Sequence, residues 1–325
     1  MPIDRRRFSG LAGGIATFLV GARAARAEAY PTRPVRIIVA TSAGGGTDFA
    51  ARLVAQWLTQ RLGQSFIVEN RPGGNNNIGT EAAARSPADG YTLFMANSVN
   101  TINAALYQTL SYDFMADFQP VVHVMRSPLL MMVHPSVPAR TVPEFIAYAK
   151  ANPDRISMGS GGNGSSSHMA GELFMLMAGV RLVHVPYRGE SLAMADLIGG
   201  QAQVVFATTG SAIVFAKAGS VRTLAVTTQA RLDGLADIPP LAQFLPGYEA
   251  QGWSGLCAPK NTPAEIVGLL NREINIALAD PKIRQRVADM GGTAPGGSAA
   301  EFARFIADDI AKWAKVVSFS GAMAH

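Results

Sequence analysis

A single cysteine, Cys257, stands in the 325 residues, which excludes an intrachain disulfide and any multi-cysteine metal site. The five histidines (His123, His134, His168, His184, His325) show neither His-x-x-x-His nor His-Glu-x-x-His spacing, so no structural metal is expected. Charged residues make up only 16% against 48% hydrophobic, too apolar for a disordered chain and ample for two cores. Long apolar runs are missing as well. The most apolar stretch, 121–133, is broken by His123, Arg126 and Pro128, well short of the roughly 18 uninterrupted residues of a membrane helix. Basic charge is scarce where it would matter. The formal net charge is +5, but Arg5, Arg6, Arg7, Arg23 and Arg26 against Asp4 fall in the first 27 residues, leaving 23 basic and 22 acidic residues beyond them. A nucleic-acid binder keeps its basic stripe in the folded part, so nucleic acid is excluded as a partner. There is no Gly-x-x-x-x-Gly-Lys loop and no Gly-x-Ser-x-Gly elbow, which removes P-loop hydrolysis and the α/β-hydrolase nucleophile.

The N-terminal arginines have a different meaning. Arg5-Arg6-Arg7-Phe8 precedes an apolar stretch over 11–20, and Ala25-Arg26-Ala27 supplies a small-x-small cleavage site. The pattern reads as an export signal cleaved near Ala27, with twin-arginine and Sec routes both open. The mature protein is therefore expected to be soluble and outside the cytoplasm.

Beyond the signal, short β-branched runs alternate with helical patterns. Strands are expected at Val35–Val39, Phe66–Asn70, 91–96 and 121–125, with helices over 49–62 (ending at Gly63) and 80–85. A second series follows: strand 130–133, a helix capped by Thr141 with Glu144 at the capping-box position, strand 156–158, helix 167–178, strand 182–185, helix 191–198 and strand 204–206. The tail reads as helices 263–279, 281–290 and 299–317. Alternation of this kind predicts an α/β fold of mostly parallel sheets flanked by helices.

Chemistry is carried by two glycine- and hydroxyl-rich strand-to-helix turns. One is Thr41-Ser42-Ala43-Gly44-Gly45-Gly46-Thr47-Asp48; the other runs from Gly159 through Ser160, Gly161, Gly162, Asn163, Gly164, Ser165, Ser166 and Ser167 to His168. Glycine lets a backbone approach a ligand closely, and a helix starting there presents unpaired N–H groups that attract an anion. Either turn alone is also compatible with a plain tight turn. Asp48 reads as a helix N-cap, and His168 as a capping or packing group rather than a base. Gly159-x-Gly161-x-x-Gly164 matches a dinucleotide fingerprint only formally, because the following strand, Val183-His184-Val185-Pro186-Tyr187, lacks the acidic residue that would hold a ribose. No cofactor is expected. An exported enzyme pairing His168 or His184 with a serine such as Ser166 lacks an orienting acid in either motif.

Several stretches, in order, resemble the substrate-binding proteins of tripartite tricarboxylate transporters, also called the Bug family. They include Tyr30-Pro31-Thr32-Arg33-Pro34, Gly44-Gly45-Gly46-Thr47-Asp48, Glu69-Asn70-Arg71-Pro72-Gly73-Gly74, Asp89-Gly90-Tyr91-Thr92-Leu93, His168-Met169-Ala170-Gly171-Glu172 and His184-Val185-Pro186-Tyr187. The resemblance implies a two-lobed periplasmic-binding fold of the type II kind, not an enzyme, that closes on a small organic carboxylate. The partners it implies are integral-membrane transporter subunits or, alternatively, a sensor kinase, with the receptor a monomer in the periplasm. Lobe one is expected over 28–126 plus 252–325 and lobe two over 127–251. Carried over, the ligand-binding residues are Ser42, Gly44, Gly45, Gly46, Thr47, Asn97, Ser98, Ser160, Gly161, Asn163, Gly164, Ser165, Ser166, His168, Tyr187 and Thr208. Two departures stand out. The run before the first glycines is Ala40-Thr41-Ser42-Ala43 in place of the proline and bulky residue of many relatives. Ala207 follows Phe206 where many have an aspartate, which argues against an amino-acid ligand.

Overall fold

The computed structural model describes residues 30–232 and 234–321; the expected export signal lies outside the described residues. β1 (Val35–Val39) is buried on both faces except at Arg36 and pairs in parallel with β2 (Phe66–Asn70) and β3 (Thr92–Asn97). Between them lie α1 (Gly46–Leu62), closed by Gly63 in the left-handed region at φ 72°, and α2 (Asn77–Ala84). α3 (Ser98–Leu106) and α4 (Phe114–Asp117) lead into β4 (Phe118–Val133). The second half contributes α5 (Val142–Ala151), β5 (Ser157–Ser160), α6 (Ser166–Ala178), β6 (Val183–Pro186), α7 (Glu190–Ile198), β7 (Val204–Thr208), α8 (Thr209–Ala218) and β8 (Arg222–Val226). β9 (Gln251–Pro259) and helices α9 (Ala264–Ala279), α10 (Pro281–Asp289) and α11 (Ala299–Ser320) complete the described chain.

The architecture is α/β with helices flanking the sheet, and the sheet is mixed rather than mostly parallel. Its order is β2-β1-β3-β9-β4-β7-β5-β6, with β8 also on β4. β9 runs antiparallel to both β3 and β4, and β4 is antiparallel to β7 and β8. The sequence pattern gives two strands, 121–125 and 130–133, where the structure has a single 16-residue strand. Its prolines account for the misreading. The register against β9 shifts between Pro120 and Val122, and Pro128 sits where β4 leaves β9 for β7 and β8. Proline is tolerated in a sheet at such irregularities.

α11 ties the two halves together. Ser298 and Glu301 form its capping box, and its 22 residues span about 33 Å. Phe302 and Ile306 pack with Ile38, Phe94 and Trp253, whereas Trp313, Val316 and Val317 pack with Leu129, Phe174 and Tyr248. Midway, the buried Asp309 accepts hydrogen bonds from Thr101 Oγ1 (2.7 Å) and Trp253 Nε1 (2.9 Å) and pairs with Lys312. Among the described residues no helix is long and apolar enough to cross a membrane.

Candidate functional site

The C-terminal ends of β1, β3, β5, β6 and β7 are each followed by a helix (α1, α3, α6, α7 and α8), directly after β3 and β7 and across a short loop after β1, β5 and β6. In open α/β sheets, ligands bind at this end of the strands. The first four N–H groups of each helix have no intrahelical acceptor, so these starts supply hydrogen-bond donors and the positive ends of helix dipoles.

Contacts join the starts into one site. Ser254 Oγ donates to Thr47 Oγ1 (3.3 Å), and Ser254 lies opposite Asn97 in the β3–β9 ladder. Ser98 and Ser166 hydroxyls are 2.8 Å apart, linking the starts of α3 and α6. A row of small polar side chains thus runs from the first glycine loop to the second. Asn97 is 4% exposed; its Oδ1 accepts from Val99 N and Asn76 Nδ2, while its Nδ2 is buried without a partner. Thr41 Oγ1, at the end of the neighbouring β1, is likewise buried and unpartnered.

Ser42, Gly44, Gly45 and Gly46 form an exposed loop, with Gly44 at φ 89°. α1 begins at Gly46, three residues before the expected start, and its N-cap is Gly45. Asp48 is therefore not the N-cap. It is buried in the first turn and its carboxylate accepts from Gly44 N (2.9 Å), Arg52 Nε (2.9 Å) and Asn70 Nδ2 (3.0 Å), bracing the loop from beneath. Burial pushes this carboxyl up, but the bonds from Arg52, Gly44 and Asn70 outweigh it and hold the pKa below the usual carboxylate range.

The second loop divides into lining and support. Ser165 caps α6, accepting from His168 N and donating to Gly162 O (2.7 Å), and Ser166 faces Ser98. Asn163 is exposed. Gly164 has φ 72°, and a Cβ there would stand 2.8 Å from Leu106 Cδ2 and 2.9 Å from Asn75 Nδ2, so the loop is seated on α3 and the 71–77 loop. Gly161 donates its N–H to Ser167 Oγ (2.9 Å). Ser160 turns away from the cleft: it is fully buried, with Oγ 2.6 Å from His184 Nε2. His168 is also a supporting group. Gly164 N donates to its Nδ1 (3.1 Å), which leaves the proton on Nε2 facing Glu172 Oε1 at 3.2 Å, so His168, unlike the expectation from its motif, does have an acid partner, one helical turn on. Its ring stacks on His184 at 3.8 Å, and burial followed by the neighbouring His168 pushes the His184 pKa down to about 3.

Tyr187 does not present its hydroxyl to the cleft; it donates to Asp196 (2.6 Å), and the ring packs near Gly159. Thr208 is engaged by a residue the sequence reading passed over. Both its N (2.9 Å) and Oγ1 (2.7 Å) donate to Glu190 Oε1, which also accepts from Ser211 Oγ. Burial pushes the Glu190 carboxyl above its ordinary pKa, against these bonds, which favour the ionised form. Asn75, Asn76, Asn103 and Ser254 are further site-forming residues that motif reading missed.

Hydroxyl, amide and N–H groups gathered at the strand ends of an α/β sheet fit the class of proteins that bind a small polar solute there. Residues 50–321 match the model of the tripartite tricarboxylate transporter family receptor. The chain belongs to this family. It is 34% identical over 299 residues to the protein BugT of Bordetella pertussis, covering 91% of this chain and 92% of that protein. Among solved structures it is similar to R. palustris Rpa4515 with adipate, with TM-score 0.81, 36% identity and coverage of 90% and 98%. It is also similar to MatC from Rhodopseudomonas palustris with bound malate, with TM-score 0.77, 28% identity and coverage of 89% and 100%.

Proposed function

We propose that this receptor captures a small organic carboxylate between the loops 42–47 and 160–167 and delivers it to integral-membrane transporter subunits. The observation that carries the reading is the pair of buried, unpartnered polar atoms, Thr41 Oγ1 and Asn97 Nδ2, at adjacent strand ends beside helix starts rich in free N–H groups. Leaving a buried donor unsatisfied costs about 1–3 kcal/mol, which a bound carboxylate oxygen or the water it orders recovers. The relatives whose structures hold adipate and malate support this ligand class. The lobes would be 28–126 with 252–325 and 127–251, closing as a monomer in the periplasm after removal of residues 1–27. A ligand bridging the loops favours the closed form by its differential affinity. On this reading the ligand leaves chemically unchanged, as expected of a member of a receptor family.

The test is a thermal-shift screen of the mature chain against mono-, di- and tricarboxylates, followed by calorimetry. A ligand present at 100 times its Kd stabilises by about 2.7 kcal/mol, a readily measured shift. A broad panel with no compound binding below millimolar would refute the reading.

A further inference from the structure

We propose that Glu190 makes the cleft selective for carboxylates that also carry an ammonium group over plain dicarboxylates or hydroxy acids of the same skeleton. The inference rests on the carboxylate-receptor reading and deepens it.

Glu190 is the first residue of α7, placed at the C-terminal end of β6 by Gly189, whose φ of 129° turns the chain. Its backbone lies against the second glycine loop: a Cβ at Gly161 would stand 3.3 Å from Glu190 N. The side chain reaches to the end of β7. There Thr208 N, Thr208 Oγ1 and Ser211 Oγ all donate to one oxygen, Oε1. Among the described residues no hydrogen bond is made to Oε2, and no lysine or arginine pairs with the carboxylate.

Three donors on one oxygen fix the rotamer and stabilise the anion. Thr208 and Ser211 are thus positioning residues, and Oε2 is left as the acceptor they present. Oε2 is not among the buried unpartnered atoms, so it remains open to solvent, and an ammonium group on a ligand would give this half-buried carboxylate the cation it lacks among the described residues. A second carboxylate on the ligand would instead meet a like charge. The position adds a geometric argument. Glu190 adjoins the second glycine loop, while the N–H groups at the starts of α1 and α6 donate to the ligand carboxylate, so the two ends of a zwitterion meet opposite charge at separate places. Ala207 carries no acid, and Glu190 delivers one to the neighbouring Thr208 from a different element.

Calorimetry on the mature chain with matched pairs tests this: malate against aspartate, adipate against 6-aminohexanoate, succinate against 4-aminobutanoate. The expected result is that the ammonium member of at least one pair binds tenfold or more tighter. In Glu190→Gln, which keeps an acceptor for Thr208, the preference falls below threefold through weaker binding of that member. Thermal midpoints report whether the variant is folded; if it is not, the parent's preferences decide alone. The assignment of Glu190 is overturned if malate, adipate or succinate binds at least as tightly as its partner in every pair, or if Glu190→Gln leaves the preference intact. Binding of the dicarboxylates with that outcome removes only this inference. Binding of no carboxylate at all removes the receptor reading and this inference together.

Discussion

Replacing Gly45 by valine separates the fold of the first loop from its use. Gly45 sits at φ −83° and ψ 173°, extended backbone that any residue adopts. The nearest atom to a Cβ built there is Ser42 O at 4.0 Å, so the new side chain meets open space. Valine stiffens the unfolded chain, worth about 0.4–1 kcal/mol in favour of folding, while its poor N-cap preference costs about as much. Stability should therefore stay within about 1 kcal/mol of the parent. Binding should not. A branched side chain at the N-cap is expected to crowd a ligand's approach to the first-turn N–H groups of α1, and losing even one charge-assisted hydrogen bond costs about 1.5–3 kcal/mol, at least a tenfold loss of affinity. The corresponding change at Gly161 is a poor probe, since its Cβ would stand 3.3 Å from Glu190 N and 3.5 Å from Ser167 Oγ and would press on α7. Denaturant unfolding and calorimetry with a carboxylate from the screen are the assays. A folded Gly45→Val protein that binds this acid as tightly as the parent refutes the placement of the ligand at this loop.

Asp48→Asn should cost about 1.5–3 kcal/mol, mostly through the bonds from Gly44 and Asn70, because the paired Arg52 is half-exposed and its ion pair is screened. The lowered carboxyl pKa makes that stability complete above about pH 4 and lost as pH falls through the folded value, so urea titrations of the variant should show a weaker acid dependence there. His184 is held neutral with its pKa near 3, whereas the unfolded chain takes up the proton near pH 6.5, so stability should fall on acidification between these values by up to about 1.4 kcal/mol per pH unit. His184→Gln should flatten this slope between pH 6 and 4 without abolishing it, since His123 is depressed to about 3 in the same way. The Cys257 thiol is buried and its pKa pushed up by burial, so a thiol reagent should label it only on unfolding; stoichiometric labelling within minutes in native buffer would contradict its placement.

What the sequence shows and hides follows from where its signals originate. β1, β2, the stop at Gly63, the Thr141 cap and the three tail helices are local features, and the structure has them close to the expected bounds. α3 escapes because its polar residues face inward. Asn100, Thr101 and Asn103 are fully buried, engaged with Asn97 N, Thr80, Asp309 and the 75–77 loop, so no apolar stripe marks the helix. Glu190 escapes for another reason. Its neighbours in sequence say only that the chain turns at Gly189, and its partners Thr208 and Ser211 lie 18 and 21 residues away.

β9 is the element whose absence from the sequence reading matters most for the site. Gly252 and Gly255 interrupt its apolar residues, and burial along nearly its whole length erases the two-residue alternation that marks a half-exposed strand. Once it lies antiparallel between β3 and β4, it sets Ser254 opposite Asn97 and within 3.3 Å of Thr47. It also sets Gly252 where a Cβ would stand 3.6 Å from Ser166 Oγ. The two glycine loops, legible separately as anion-ready turns more than 100 residues apart, are thus joined by a strand that carries no binding motif of its own. Local sequence defines the donors of such a site; a long-range strand pairing decides whether they act on the same ligand.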